Sequence, residues 1–175
     1  MSEFTTGELS KILKEHERWC DTDKREGEIA DLSNANLINA NLFGAYLIYA
    51  NLRKANLIYA NLRYANLLEA NLRYANLSCT YLRYANLRGA DLRGANLYNA
   101  YPSDANLSGA NLSGAGLRYA DLYKADLSFA NLTQVKNLSI NQLSEVKTLY
   151  ITVLDPELKK QVRKKYPHLL EDPDV

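Results

Sequence analysis

With 175 residues, 47% of them hydrophobic, and 21 Lys and Arg against 20 Asp and Glu, the chain has the size and composition of a single globular domain. A formal net charge of +1 points to neither nucleic acid nor a membrane as partner, and no apolar run is long enough to predict a membrane span. Cys20 and Cys79 lie far apart and read as reduced thiols. Met1-Ser2-Glu3-Phe4 has no basic region leading into an apolar run, so a cytoplasmic protein is expected.

Thr5 and Glu8 stand at capping-box spacing and predict a helix over Thr6 to Cys20. Leu9, Ile12, Leu13, His16, Trp19 and Cys20 form its apolar face, with Leu13 and Trp19 as the expected plugs against the next element. His16, a lone histidine on that face, reads as structural. Asp21 to Gly27 is polar and reads as a linker.

From Ala30 to Gln134 a five-residue unit repeats twenty-one times without a gap. Leu occupies every centre from Leu32 to Leu132 except Pro102, and Ala stands two residues before each centre except at Thr80. Seventeen of the intervening residues are Asn or Asp; the exceptions are Tyr46, Tyr81, Tyr101 and Gly116. Five matches neither the helical period nor the strand period, but it suits a strand that bends at regular intervals. Ala and Leu, two apart, then face the same side and fill a narrow tube, and successive coils stack at about 4.8 Å. The residues after the centres repeat at a lag of 20 (Arg53/Arg73/Arg93, Ile38/Ile58, Arg63/Arg83, Ser108/Ser128) more often than at 15 (Arg73/Arg88, Ser113/Ser128). This favours four units per coil over three. Asn and Asp are expected to bond nearby backbone and to stack as ladders between coils. Pro102, with no N–H, predicts a bulge or kink, and Tyr81 and Tyr101 are expected to stack.

Ala60-Asn61-Leu62-Arg63-Tyr64-Ala65-Asn66-Leu67 resembles the pentapeptide-repeat family, whose unit is Ala-(Asp/Asn)-Leu-X-X. The resemblance implies a mainly β fold, a right-handed quadrilateral β-helix of about five coils, hence a rod roughly 25 Å long. The expected organisation is a capping helix and linker over 1–29, the β-helix over 30–134, and a helical cap with a mobile tail over 135–175.

In the last segment Ser139 to Gln142 repeats the capping-box pattern and predicts a short helix through Leu143 and Val146. Leu149 to Leu154 reads as extended. Asp155-Pro156-Glu157 starts a further helix, with Asp155 as N-cap, that ends near Tyr166. This region resembles C-terminal segments of some bacterial family members, which implies end capping or an oligomer contact.

No catalytic, cofactor-binding or metal-binding constellation is visible. His16 and His168 lie in opposite terminal segments, and Cys79 has no evident base in its coil. The candidate partner-binding surface is a column of Arg53, Arg73 and Arg93 opposite a column of Arg63 and Arg83, with Tyr64 and Tyr84 beside the second. Such Arg–Tyr neighbours can also stack merely to shield the coils. Ile38, Ile48, Ile58 and Leu68, with Phe43, form a second, apolar candidate patch. A non-enzymatic scaffold or protein-interaction module is expected, with another protein as partner. The alternatives are an anionic partner on the Arg columns and the DNA-mimic inhibition of type II topoisomerases known for some family members. The repeat carries nine basic and six acidic residues, a sign that disfavours mimicry.

Overall fold

The computed structural model describes residues 2–3 and 5–173. A short strand β1 (Ser2–Glu3) leads into helix α1 (Thr6–Asp21). Thr5 and Glu8 form the expected capping box: the Thr5 hydroxyl accepts the Glu8 N–H, and the Glu8 carboxylate accepts the Thr5 N–H at 2.8 Å. The polar linker is tightly folded. Thr22 Oγ1 donates to the Arg18 carbonyl at 2.7 Å, and Arg18 pairs with Glu26. Gly27 has φ +78°, and a Cβ there would stand 2.2 Å from the Glu15 carbonyl oxygen, so glycine is required where the chain passes the helix.

Leu9, Ile12 and Leu13 rest half-buried on the first coil. Trp19 does not serve as a plug. It stands at the rim, edge-on to Tyr49, while His16, on the same face of α1, is fully buried. The His16 ring packs parallel to Trp19 at 5.6 Å, and its Nδ1 accepts the Ala30 N–H at 3.1 Å. It therefore supplies an acceptor to the first backbone donor of the repeat, which would otherwise be orphaned.

The repeat winds as a β-helix. Parallel bridges join residues 20 apart, from Asp31 with Asn51 to Asn111 with Asn131, so one coil takes four units. Central Leu N–H groups donate to the coil above (Leu52 to the Asn71 carbonyl, 2.8 Å), and from the second coil on Asn N–H groups donate to the coil below (Asn71 to the Ala50 carbonyl, 2.9 Å). At the corners the carbonyl of the central residue accepts the N–H three residues on, as Leu52 does from Ala55 at 3.0 Å. The second corner residue is left-handed, with φ near +60° at Lys54, Tyr64 and Tyr84. Gly94 takes the same angle, and a Cβ there would press within 2.6 Å of the Tyr74 ring. All described Leu centres are buried and the Ala rows lie between them as one continuous core; only Ala40 and Ala45, in the first coil, are half-covered. β1 pairs in parallel with β2 (Ala35–Asn36) and covers one edge of that first coil.

The Asn side chains do both things expected of them. Asn71 Oδ1 accepts the Arg73 N–H at 3.2 Å, and its Nδ2 donates to Asn51 Oδ1 in the coil below at 3.3 Å. Thr80 fits the Ala row because its hydroxyl donates to the Leu57 carbonyl at 2.7 Å. Pro102 produces no bulge. The Tyr81–Tyr101 bridge below it is intact, Asp121 still donates to the Ala100 carbonyl at 2.9 Å, and Asp104 donates to Tyr123 at 2.8 Å. The proline removes one ladder donor and leaves the register unchanged.

After Gln134 the winding continues in a disguised form. A 3-10 turn over Ile140–Leu143 replaces the expected longer helix, and Gln142 Nε2 reaches the Leu117 and Ala120 carbonyls at 2.7 and 3.0 Å. The two extra residues lengthen the spacing to 22, and Thr148 and Val153 bridge to Asp126 and Asn131. The stretch read as extended instead bends at Ile151 (φ +53°), and Thr152 stands in for Ala with its hydroxyl on the Leu127 carbonyl at 2.7 Å. Helix α2 (Pro156–Lys165) begins at Asp155, but that carboxylate does not cap it. Asp155 accepts the Gln134 N–H at 2.8 Å, replacing the carbonyl that a further coil would have supplied. A 3-10 turn over Pro167–Leu170 closes the chain, with the Leu169 carbonyl accepting the Leu149 N–H at 2.7 Å. The expected mobile tail lies partly outside the described residues.

Candidate interaction surface

A 20-residue coil puts residues ten apart on opposite faces, so the two Arg columns diverge as expected. On the first face Arg53, Arg73 and Arg93 stack, but an acid stands among them. Arg93 donates through Nε and Nη2 to Asp91, at 2.8 and 2.5 Å, and Arg73 Nε lies 3.9 Å from the same carboxylate, buried and without a hydrogen bond. Burial pushes the Asp91 carboxyl upward, but the Arg93 hydrogen bonds and the two guanidinium charges hold it below the ordinary carboxylate value. The Arg73 guanidinium lies 5.7 Å from the Tyr74 ring. This face is therefore partly neutralised.

The opposite face carries an aromatic column. Phe43 meets Tyr64 at 5.4 Å, and Tyr64 stacks on Tyr84 at 5.0 Å with ring planes 25° apart. Each ring stays open to solvent: Phe43 and Tyr64 are 55% exposed and Tyr84 42%. Arg63 lies 5.9 Å from the Phe43 ring and bonds Asn61, and Arg83 lies 4.8 Å from the Tyr84 ring and donates to its hydroxyl at 3.0 Å. Arg83 also pairs with Asp104 at 3.1 Å, and that hydrogen bond, with the nearby phenols, raises its pKa further. Beside this column Tyr81 and Tyr101 stack at 5.5 Å and 11°, as the sequence predicts.

Arg63, Arg83, Tyr64 and Tyr84 thus come together, while Arg53, Arg73 and Arg93 stand apart from them. Phe43 belongs to the aromatic column rather than to an apolar patch. Ile38 and Ile58 share one face and Ile48 and Leu68 the opposite one, so the five apolar residues form no single surface. A lag of 20 from Phe43 to Arg63, the rows one residue apart, was the available signal. Cys79 sits beside Tyr59, whose phenol its hydrogen bond pushes up, and accepts from Asn99 Nδ2 at 3.6 Å. Among the described residues, no helix is long and apolar enough to cross a membrane.

The family model described as Pentapeptide repeats matches in eight copies, over residues 30–62, 50–83, 75–114 and 103–136. The chain belongs to the pentapeptide-repeat family. Pentapeptide-repeat proteins fold as right-handed β-helices, and the parallel ladder described above is the form that fold takes here. No curated protein matches the chain. Among solved structures, a pentapeptide repeat protein from the Arabidopsis thaliana thylakoid lumen is 29% identical, covering 56% of this chain and 65% of its own, with a TM-score of 0.46. The chain thus spans just under two thirds of that protein. Rfr23, from the cyanobacterium Cyanothece 51142, is 28% identical over 84% of this chain and 99% of its own, with a TM-score of 0.44. QnrB1, a plasmid-mediated fluoroquinolone resistance protein, is 20% identical over 83% of this chain and 74% of its own, with a TM-score of 0.47.

Proposed function

We propose that the chain is a non-enzymatic scaffold that binds another protein through the face bearing Arg63, Tyr64, Arg83 and Tyr84. The carrying observation is the exposed column Phe43–Tyr64–Tyr84, flanked by two arginines laid along its rings. Tyr and Arg are the residue types that dominate binding energy at protein interfaces. Here their positions are fixed by a hydrogen-bonded wall, which lowers the entropy lost on docking. The supporting frame in this reading is about five coils over 30–134, with 1–29 and 135–175 as the two end caps, working in the cytoplasm.

A second reading, an anionic partner on Arg53, Arg73 and Arg93, is weakened by Asp91, which already engages two of the three. Mimicry of DNA is weakened by the basic excess of the repeat.

The test is affinity capture from the native host with three baits: wild type, Tyr64→Ala/Arg83→Ala/Tyr84→Ala, and Arg53→Ala/Arg73→Ala/Arg93→Ala. A protein retained by the first and third baits and lost with the second is the expected result. Loss with the third bait alone, together with salt-sensitive retention on nucleic acid, establishes the second reading instead. Inhibition of gyrase supercoiling at low protein excess would overturn both.

A further inference from the structure

Resting on that reading, we infer that one occupant of this face is the same face of a second copy, packed side by side with the two rods antiparallel. The charges on the face are ordered along the rod. Bridges and ladder bonds fix the sequence of rungs from Asn41 through Asn61, Tyr81 and Tyr101 to Asp121. The lower rungs bear Arg63 and Arg83; the upper ones bear Asp104 and Asp121, with Lys124 laid 5.1 Å from the Tyr123 ring. Tyr81 and Tyr101 lie in the middle, parallel to each other.

A two-fold axis crossing the face between those two tyrosines inverts height and keeps lateral position. It sets Tyr81 of one copy on Tyr101 of the other. It brings Arg63 within side-chain reach of Asp121 and Tyr123 of the second copy, Tyr64 opposite Lys124, and Arg83 beside the second Asp104. Every cation then meets an acid or a ring face, the self-complementarity that an isologous contact demands. Pairing the rods in parallel keeps height instead, leaving Arg63 three rungs from Asp121 of the second copy, so this charge pairing forms only in the antiparallel arrangement. Nucleic acid fits the same surface poorly, because Asp104 and Asp121 occupy its upper half. Five rungs at about 4.8 Å span about 19 Å from first to last, a small contact, so the dimer is expected to be reversible.

Sedimentation velocity of the full chain from about 1 to about 300 μM tests this. Wild type is expected to shift from monomer to dimer across that range. Tyr81→Asn/Tyr101→Asn, which installs the residue most repeat units carry at that position, is expected to keep the fold and lose the dimer. Arg63→Asp and Asp121→Arg are each expected to weaken association by about tenfold or more, and the two combined in one chain to restore it. Arg53→Ala, at an exposed residue of the opposite face, is the neutral control. A wild type that stays monomeric, a dimer indifferent to Tyr81→Asn/Tyr101→Asn, or no restoration in the charge-swapped double variant overturns the inference. A monomeric wild type that still captures a protein through Tyr64, Arg83 and Tyr84 refutes self-pairing and leaves the interaction reading intact. A dimer whose capture pattern ignores those residues does the reverse.

Discussion

Leu67 and Leu68 are neighbours in sequence and identical in chemistry, yet they stand on opposite sides of the wall. Leu67 is 0% exposed within the tube, whereas Leu68 points outward and is only half-covered. Leu67→Ala removes three carbons from a closed interior, about 2.4 kcal/mol at about 0.8 kcal/mol for each. The ladder above and below (Leu67 N–H to the Asn86 carbonyl, 2.7 Å) resists collapse around the void. A cavity contribution therefore adds, for a total of about 3–5 kcal/mol. Leu68→Ala loses only partial cover and should cost about 1 kcal/mol or less. Urea denaturation followed by far-ultraviolet circular dichroism measures both, with the slope of each transition checked because stacked repeats can unfold in parts. Equal losses, or a larger loss at Leu68, would refute the inward placement of the Leu row.

Burial pushes the pKa of His16 down, against hydrogen bonding to the Ile48 and Glu28 backbone, and its Nδ1 already holds the Ala30 N–H. The unfolded chain therefore takes up a proton first. The contribution of His16 is full above about pH 6.5 and falls as the pH drops from there toward the lowered folded value. Urea midpoints followed by the fluorescence of Trp19, stacked on that ring, should fall as the pH drops below about 6.5, and His16→Gln, which does not titrate, should lose that part of the pH dependence; an unchanged pH dependence in the variant would contradict it. Gly27→Ala should detach α1 from the first coil, because the new Cβ meets Glu15 backbone at 2.2 Å; faster amide exchange confined to 6–29 is the readout. Pro102→Leu restores both the missing ladder donor and the common centre residue, and should raise stability by about 1–2 kcal/mol in urea titrations.

The tube was legible in the sequence because the five-residue period ties each Ala and Leu to one side of the wall, whatever the outer residues are. Corner chemistry was legible for the same reason, since Asn71 and its counterparts sit where a turn offers a free N–H. What stayed hidden depends on contacts between coils or across register breaks. Thr148 to Leu154 continues the winding, but Thr152 and Val153 replace the Ala and Asn that mark a unit, and the insertion before them changes the spacing to 22. Helical periodicity identified the inner face of α1, but not that His16 rather than Trp19 reaches the Ala30 N–H. The position of Asp91 beside Arg73 follows only once the coil length is known. On the candidate surface, apolar character groups Phe43 with Ile38 and Ile48, whereas the 20-residue lag places it beneath Arg63 and Tyr64.

The most direct measurement is oxidation of paired cysteines in a Cys20→Ser/Cys79→Ser background. Ser108 and Ser128 stand one coil apart, and Gly109, next to Ser108 in the lower coil, donates to the Ser128 carbonyl at 2.8 Å, whereas Ser113 and Ser128 lie on different faces. Ser108→Cys/Ser128→Cys should close a disulfide, detected by mass spectrometry of the folded monomer, and Ser113→Cys/Ser128→Cys should remain reduced. Closure of the second pair and not the first would contradict four units per coil.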